Sequence, residues 1–169
     1  MISREPELNS RALKRRSDIY MERTNSSIRP LAFNAKKSDG FNPHLTICDE
    51  IASWPAEQGL KQYEVMKSAL GARKQPMILS ISTAGYVNDG PYDELMKRSS
   101  AYLMGTSDER RLLPFLYVID DVTKWDDLHE LAKSNPNLGV SVNEDFFLEE
   151  IAIARNSMSK RAEFLTKYC

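Results

Sequence analysis

An α/β fold is predicted by three features of the 169-residue sequence. The runs HLTICDE (residues 44–50) and MILSIST (77–83) are short, apolar and partly β-branched, as buried strands are. Between them, Tyr63, Met66 and Leu70 recur at i, i+3 and i+7 with Ala69 on the same side, the stripe of an amphipathic helix that Gly71 ends. Strand, helix and strand in about forty residues form a βαβ unit, whose strands run parallel through a right-handed crossover.

Composition bounds the class. Hydrophobic residues make up 41% and charged residues 28%, the balance of a soluble globular protein of ordinary domain size. No apolar run approaches the ~20 residues that a bilayer requires, so no transmembrane span or signal peptide is expected, and the compartment reads as cytoplasmic. Cys48, inside an apolar run, and Cys169, at the terminus, give neither a disulfide framework nor zinc spacing.

The formal net charge of -1 excludes a uniformly basic nucleic-acid binder. The charges are uneven, however. Residues 1–39 carry nine Lys or Arg against five Asp or Glu, and residues 107–150 carry four against eleven. Solvated faces account for this, as would a basic arm near nucleic acid with an acidic contact surface elsewhere.

The remaining elements follow in order. Ser3 can cap a short basic helix through Arg16, with Leu8, Ala12 and Leu13 as a thin apolar stripe. Residues 18–24 and 28–33 read as a hairpin turning at Asn25, Ser26 and Ser27, with Pro30 confining the second strand to an edge. The loop KKSDGFNP (36–43) breaks the chain before the first parallel strand.

Past the second parallel strand, Tyr92, Leu95, Met96, Ser99, Tyr102 and Leu103 give a helix closed by Gly105, and residues 115–119 a third strand. Thr123 with Asp126 offers a capping box for a helix carrying Trp125, Leu128 and Leu131. The turn SNPNLG (134–139) precedes a last long helix from near Asn143 that presents Phe147, Ile151 and Ala154.

The first strand ends on two adjacent carboxylates, Asp49 and Glu50. Acidic residues commonly stop strands, and that alone would account for them. Open α/β sheets, however, bind ligands beyond the carboxyl ends of their strands. Parallel neighbours end on the same edge, so Asp49 and Glu50 should share one crevice with Ser82 and Thr83. Two carboxylates and two hydroxyls suit phosphoryl transfer, which needs a holder for hydrated magnesium, a group that orients water and a group that registers the γ-phosphate.

Three longer words narrow the choice. DGFNPHLTICDE (39–50), GARKQPMILSISTAG (71–85) and NPNLGVSV (135–142), in this order and spacing, closely resemble the large terminase subunit of tailed bacteriophages, the motor that packages DNA into the procapsid. The resemblance covers nearly the whole chain. It implies a partial P-loop NTPase-type (ASCE) parallel sheet with flanking helices, followed by a helical linker. Residues 1–121 would be the C-terminal portion of the ATPase domain and 122–169 the linker leading to a nuclease domain.

By that resemblance the acidic pair is the Walker B motif, with Asp49 holding Mg2+ through water and Glu50 catalytic. Ser82 and Thr83 belong to the coupling motif that links the γ-phosphate state to movement. Many relatives have Thr where Ser82 stands, and a His often follows where Ala52 is found here. The sequence has no G-x-x-x-x-G-K-[ST], since none of its seven glycines precedes a Lys. The expectation is a middle portion of a terminase, without P-loop or nuclease domain and inactive alone. ATP and Mg2+ are implied for the complete protein, with tight binding of neither to this chain. The implied partners are double-stranded DNA, the portal protein, the small terminase subunit and further copies of the motor, with no membrane, in the cytoplasm of the bacterial host.

Two other readings fit the residues. A helicase-type ATPase core also sets an acidic pair and a Ser/Thr motif on successive strands, and a non-enzymatic module could bind portal or small subunit through its acidic half. Arg73 is a candidate basic contact to DNA or a neighbouring subunit's nucleotide, but with Lys74 it reads more readily as a solvated helix end. His44 and His129 lack metal-ligand spacing, and Trp54 and Trp125 read as packing anchors. Asp120, Asp121, Asp126 and Asp127 read as surface and cap residues.

Overall fold

The computed structural model describes residues 4–32, 40–86 and 88–169. Helix α1 (Pro6–Arg11) begins on its proline, whose missing N–H suits a first turn. Ala12 is already extended, so α1 stops short of the expected Arg16, and the expected cap Ser3 lies outside the described residues. Leu13 and Lys14 instead form β1, which pairs antiparallel with β2 (Ile19–Met21); β2 pairs antiparallel with β3 (Ser26–Ile28).

The hairpin thus exists, but its second strand is shifted: Ser26 and Ser27, expected in the turn, pair with Met21 and Tyr20, and of the expected 28–33 only Ile28 lies in β3. Residues 22–24 leave β2 as a 3₁₀ turn, and Asn25 closes it in the left-handed region at φ 49, its side chain accepting a hydrogen bond from the Tyr20 hydroxyl at 2.9 Å. Pro30 lies just past β3, at the edge of the three-stranded sheet. Residues 33–39, and with them part of the expected loop, lie outside the described residues.

The βαβ unit follows as predicted. Strand β4 (Leu45–Asp49), helix α2 (Ala56–Ala69) and strand β5 (Met77–Ile81) place the two strands side by side and parallel, from Leu45 beside Met77 to Asp49 beside Ile81. Helix α3 (Pro91–Leu103) follows. Cys48 and Ile78 on the inner face pack with Ile51, Tyr63, Tyr92, Leu95 and Trp54 into one core. Tyr63 and Met66, the stripe read from the sequence, are buried. Burial raises the pKa of the Cys48 thiol, consistent with a small core residue.

Residues 115–119 form no strand. Their side chains fit a sheet, but no described neighbour offers a ladder, and Phe115 and Tyr117 stay 70% and 58% exposed. Only Ile119 is buried, and it belongs to a second core with Trp125, Leu131, Phe147, Ile151, Ala154 and Phe164. Helices α4 (Leu128–Ser134), α5 (Glu144–Arg155) and α6 (Met158–Tyr168) supply that core. The single long helix expected from Asn143 is therefore two. Asn143 caps the first as expected, and Ser157 starts the second by accepting from the Lys160 N–H.

The expected capping box at Thr123 is also replaced. Asp121 accepts the Thr123 N–H at 2.9 Å and caps a 3₁₀ turn over 122–124, and Asp127 accepts the His129 N–H at 2.8 Å and caps α4. Carboxylates outcompete the Thr hydroxyl at exposed helix starts because they also face the positive end of the dipole. The chain end returns to this unit: Ser134 Oγ and Asn135 Nδ2 donate to the Tyr168 carbonyl at 2.6 and 2.8 Å, and the Ile119 N–H to that of Cys169 at 3.3 Å.

Within the second unit, buried Glu130 accepts the N–H groups of Asp120 (2.6 Å) and Asp121 (3.1 Å) and the Lys133 ammonium (2.8 Å). The Lys133 hydrogen bond, then the backbone donors, hold the Glu130 pKa below its ordinary 4.5, while Asp120 and Glu130 push Lys133 up to about 12. A carboxylate with a depressed pKa contributes stability above its ordinary value and loses it as pH falls through the depressed one. Thermal melting followed at Trp125 should therefore show the advantage of the native chain over Glu130→Gln at neutral pH, shrinking below about pH 4.5. A gap unchanged between pH 7 and pH 3 would count against this role.

Candidate functional site

The site is built at the carboxyl ends of β4 and β5. Asp49 ends β4, and Glu50 turns the chain sharply with φ 48 and ψ 48, a left-handed conformation that costs a non-glycine residue about 1–2 kcal/mol. Nearby contacts hold the turn. Residues 51–53 form a 3₁₀ turn, buried Ile51 pins it to the core, and the Ser53 N–H and hydroxyl donate to the Glu50 carbonyl at 2.9 and 2.8 Å. The Trp54 indole N–H donates to the Asp49 carbonyl at 3.0 Å. The backbone of the acidic pair is thus fixed from behind, leaving both side chains exposed.

Strand register places Ile81 beside Asp49, so Ser82 emerges beside the turn. There its hydroxyl accepts the Ala52 N–H at 3.0 Å, a direct link between the two strand ends. The expected convergence of Asp49, Glu50 and Ser82 on one edge is therefore present. Thr83 is exposed one residue further. Gly85 lies against the same turn, where an added Cβ would stand 2.7 Å from the Ala52 Cβ, closer than two such atoms can approach. Gly85→Ala is expected to lose about 1–3 kcal/mol in urea unfolding. Most of that should return in Gly85→Ala with Ala52→Gly; no recovery would place the strain elsewhere.

Trp54, read from sequence only as an anchor, thus also orients the Asp49 backbone. Asn88 and Asp93 were not singled out by the sequence. Asn88 Nδ2 donates to the Trp54 carbonyl at 3.4 Å, and Asp93 accepts the N–H groups of Asn88 (2.9 Å) and Gly90 (3.1 Å), which hold its carboxyl below the ordinary range. The available signal was Gly90-Pro91 with an acid at Asp93, the start of a helix. Arg73 lies at the opposite end of the sheet, its guanidinium donating twice to the Asn42 carbonyl at 2.7 and 3.2 Å, so it secures the approach to β4.

Among the described residues no group of three or more His, Cys, Asp or Glu side chains is arranged for a metal. Magnesium does not demand such a cage, since it is commonly held by one or two carboxylates with water and substrate phosphates completing the octahedron. Asp49 and Glu50 meet that requirement: they are exposed, adjacent, and make no ion pair among the described residues. A cradle of backbone amides for phosphates is a separate requirement, and the sequence offers no P-loop for it.

The fold is that of a terminase-type ATPase domain. The family model for the terminase large subunit, ATPase domain, matches residues 3–101, more than half the chain, and the protein belongs to this family. The chain is 32% identical over 133 residues to Protein YmfN of Escherichia coli strain K12, a match covering 79% of this chain and 29% of that protein. The crystal structure of the HK97 bacteriophage large terminase superposes with a TM-score of 0.79 at 19% identity, covering 99% of this chain and 34% of that one. The mixed α/β fold with its parallel strand pair is thus that of a terminase ATPase domain, and the chain spans about a third of the length of these relatives. No helix among the described residues is long and apolar enough to cross a membrane.

Proposed function

We propose that this chain is the Walker B and coupling segment of a phage terminase large subunit, the ATP-hydrolysing motor that translocates viral DNA into procapsids. The observation that carries the reading is the Ser82–Ala52 hydrogen bond, which ties the end of one parallel strand to the turn that presents the acidic pair on the other. Residues 1–121 form the C-terminal portion of the ATPase domain and residues 122–169 the linker toward a nuclease domain.

In this reading Asp49 would hold hydrated Mg2+, which when bound would supply charge neutralisation for the nucleotide phosphates. Glu50 orients the attacking water and takes its proton, and its fixed backbone sets the direction of the carboxylate. Ser82 and Thr83 sense the state of the γ-phosphate. Because Ser82 already bonds Ala52, movement at the phosphate would pull on the Walker B turn and be passed along β5. Double-stranded DNA, the portal, the small terminase subunit and further motor subunits are the partners, in the cytoplasm of the bacterial host.

The test needs nucleotide and metal. Calorimetric titration of the chain alone should show no ATP binding in the low micromolar range and no turnover, since phosphates lack their cradle. Joined to a segment bearing a P-loop, it should gain Mg2+-dependent binding that Asp49→Asn weakens. Tight binding by the isolated chain, or a completed protein indifferent to Asp49→Asn, would overturn the assignment.

A further inference from the structure

We propose that the buried Asp93 carboxylate, acting through Asn88 and Trp54, is a positioning residue for the acidic pair, an inference that rests on the hydrolytic reading of Asp49 and Glu50. The connection from β5 to α3 grips the turn over residues 51–54 at both ends. At one end the Ser82 hydroxyl accepts the Ala52 N–H at 3.0 Å. At the other, Asn88 Nδ2 donates to the Trp54 carbonyl at 3.4 Å, and the Trp54 indole N–H donates in turn to the Asp49 carbonyl at 3.0 Å.

Asp93 holds the second grip in shape. Its Oδ2 accepts the N–H groups of Asn88 at 2.9 Å and Gly90 at 3.1 Å, which bends residues 88–90 around a carboxylate only 8% exposed. Capping α3 requires the Gly90 bond alone. The bond to the Asn88 N–H is additional, and it fixes the residue whose side chain returns to Trp54. Asp89 is left-handed at φ 55, as Glu50 is at φ 48. Non-glycine residues persist in that region only where surrounding contacts over-determine them, and these two stand at opposite ends of one chain of hydrogen bonds.

Packing closes the same joint. A Cβ added to Gly59 of α2 would stand 3.1 Å from both the Trp54 Cβ and the Pro91 ring, so the tryptophan and the first residue of α3 are seated together on α2. Close packing of this kind passes displacement on instead of absorbing it. Ser82 and Thr83 lie on the connection between the two grips, so a shift of that connection reaches the end of β4 through Ala52 and through Trp54.

Hydrogen exchange of the two indole N–H groups tests the clamp in this chain without nucleotide, with Trp125 in the C-terminal core as the internal reference. Asp93→Asn should speed exchange at the Trp54 indole several-fold and leave Trp125 unchanged. A carboxylate that only caps α3 would instead loosen the first turn of that helix and leave the Trp54 indole as it was, which overturns the proposal. Asn88→Ala removes the side-chain donor while keeping the N–H that Asp93 accepts, so it should loosen the Trp54 indole with α3 fully protected; indifference there overturns the proposal even if Asp93→Asn fails to fold. In the protein completed with a P-loop-bearing segment, Asn88→Ala and Trp54→Phe should each lower kcat roughly tenfold with KM for ATP nearly unchanged, the signature of misdirected groups. Turnover that Glu50→Gln abolishes but these two variants leave intact overturns the positioning role alone. A completed protein with no turnover overturns the hydrolytic reading, and with it the role of the clamp in catalysis, whatever the indole shows.

Discussion

Glu50→Gln, in this chain completed with a P-loop-bearing segment, should lower ATP turnover at least a hundredfold while changing nucleotide affinity only a few-fold. Glutamine keeps the size and removes the charge. A positioned general base typically contributes on the order of 10² to 10⁴ in rate, roughly 3–5 kcal/mol of barrier. Binding rests mainly on the phosphate cradle and the metal, which Glu50 does not supply in the proposed division of labour with Asp49. Backbone geometry sharpens the expectation: the left-handed turn at Glu50 is held through its carbonyl by Ser53, and neither contact involves the carboxylate. Fold and turn should survive the substitution, so a rate loss would report chemistry. Steady-state turnover with calorimetric affinity measures both quantities. If the variant hydrolyses ATP within a few-fold of the unmodified protein, Glu50 is only the residue that stops a strand.

The β4–α2–β5 unit was legible because each of its parts carries its own signal. Residues 44–50 and 77–83 are too short and too β-branched for helices, and Tyr63, Met66 and Leu70 keep helical spacing between them. Convergence of Asp49, Glu50 and Ser82 then followed from parallel pairing alone. The geometry of the turn was not legible, because a left-handed glutamate has no local sequence signature and is imposed by Ile51 in the core and the bonds to Ser53 and Trp54.

The misplaced elements have separate causes. Residues 115–119 have strand-forming side chains, but a strand is completed by a neighbour, and propensity cannot supply one. The break between α5 and α6 was hidden because apolar periodicity continues across it to Phe164; its local signal was Asn156-Ser157, a stop followed by a cap. At residues 121–128 several acids and a Thr compete to cap, and their order along the backbone decides which one reaches a free N–H.

Phe147→Ala should destabilise the C-terminal helical unit by about 3–5 kcal/mol, the usual range for removing a fully buried aromatic ring. The ring is 1% exposed in the middle of that core. It meets Tyr168 edge-on at 5.2 Å, Phe146 at 5.7 Å and Phe164 at 6.4 Å between centroids, so its loss opens a cavity between α5 and α6 and removes three aromatic contacts as well. Phe164 in turn packs edge-on against Trp125 at 5.6 Å, which makes the indole a reporter of the unit. Domains of this size are stabilised by only about 5–15 kcal/mol in all, so the unit should unfold in urea well before the remainder of the chain, with a red shift of Trp125 emission. The adjacent Phe146, 43% exposed, provides the comparison: Phe146→Ala should change stability by less than about 1 kcal/mol. The cores around Cys48 and around Phe147 share no residue. The β4–β5 pair should accordingly survive in Phe147→Ala, with hydrogen exchange at Ile47 and Leu79 unchanged while amides of α5 and α6 exchange freely. Simultaneous loss of protection in both units would mean that the chain folds as a single cooperative body in which the ATPase segment depends on the helices that follow it.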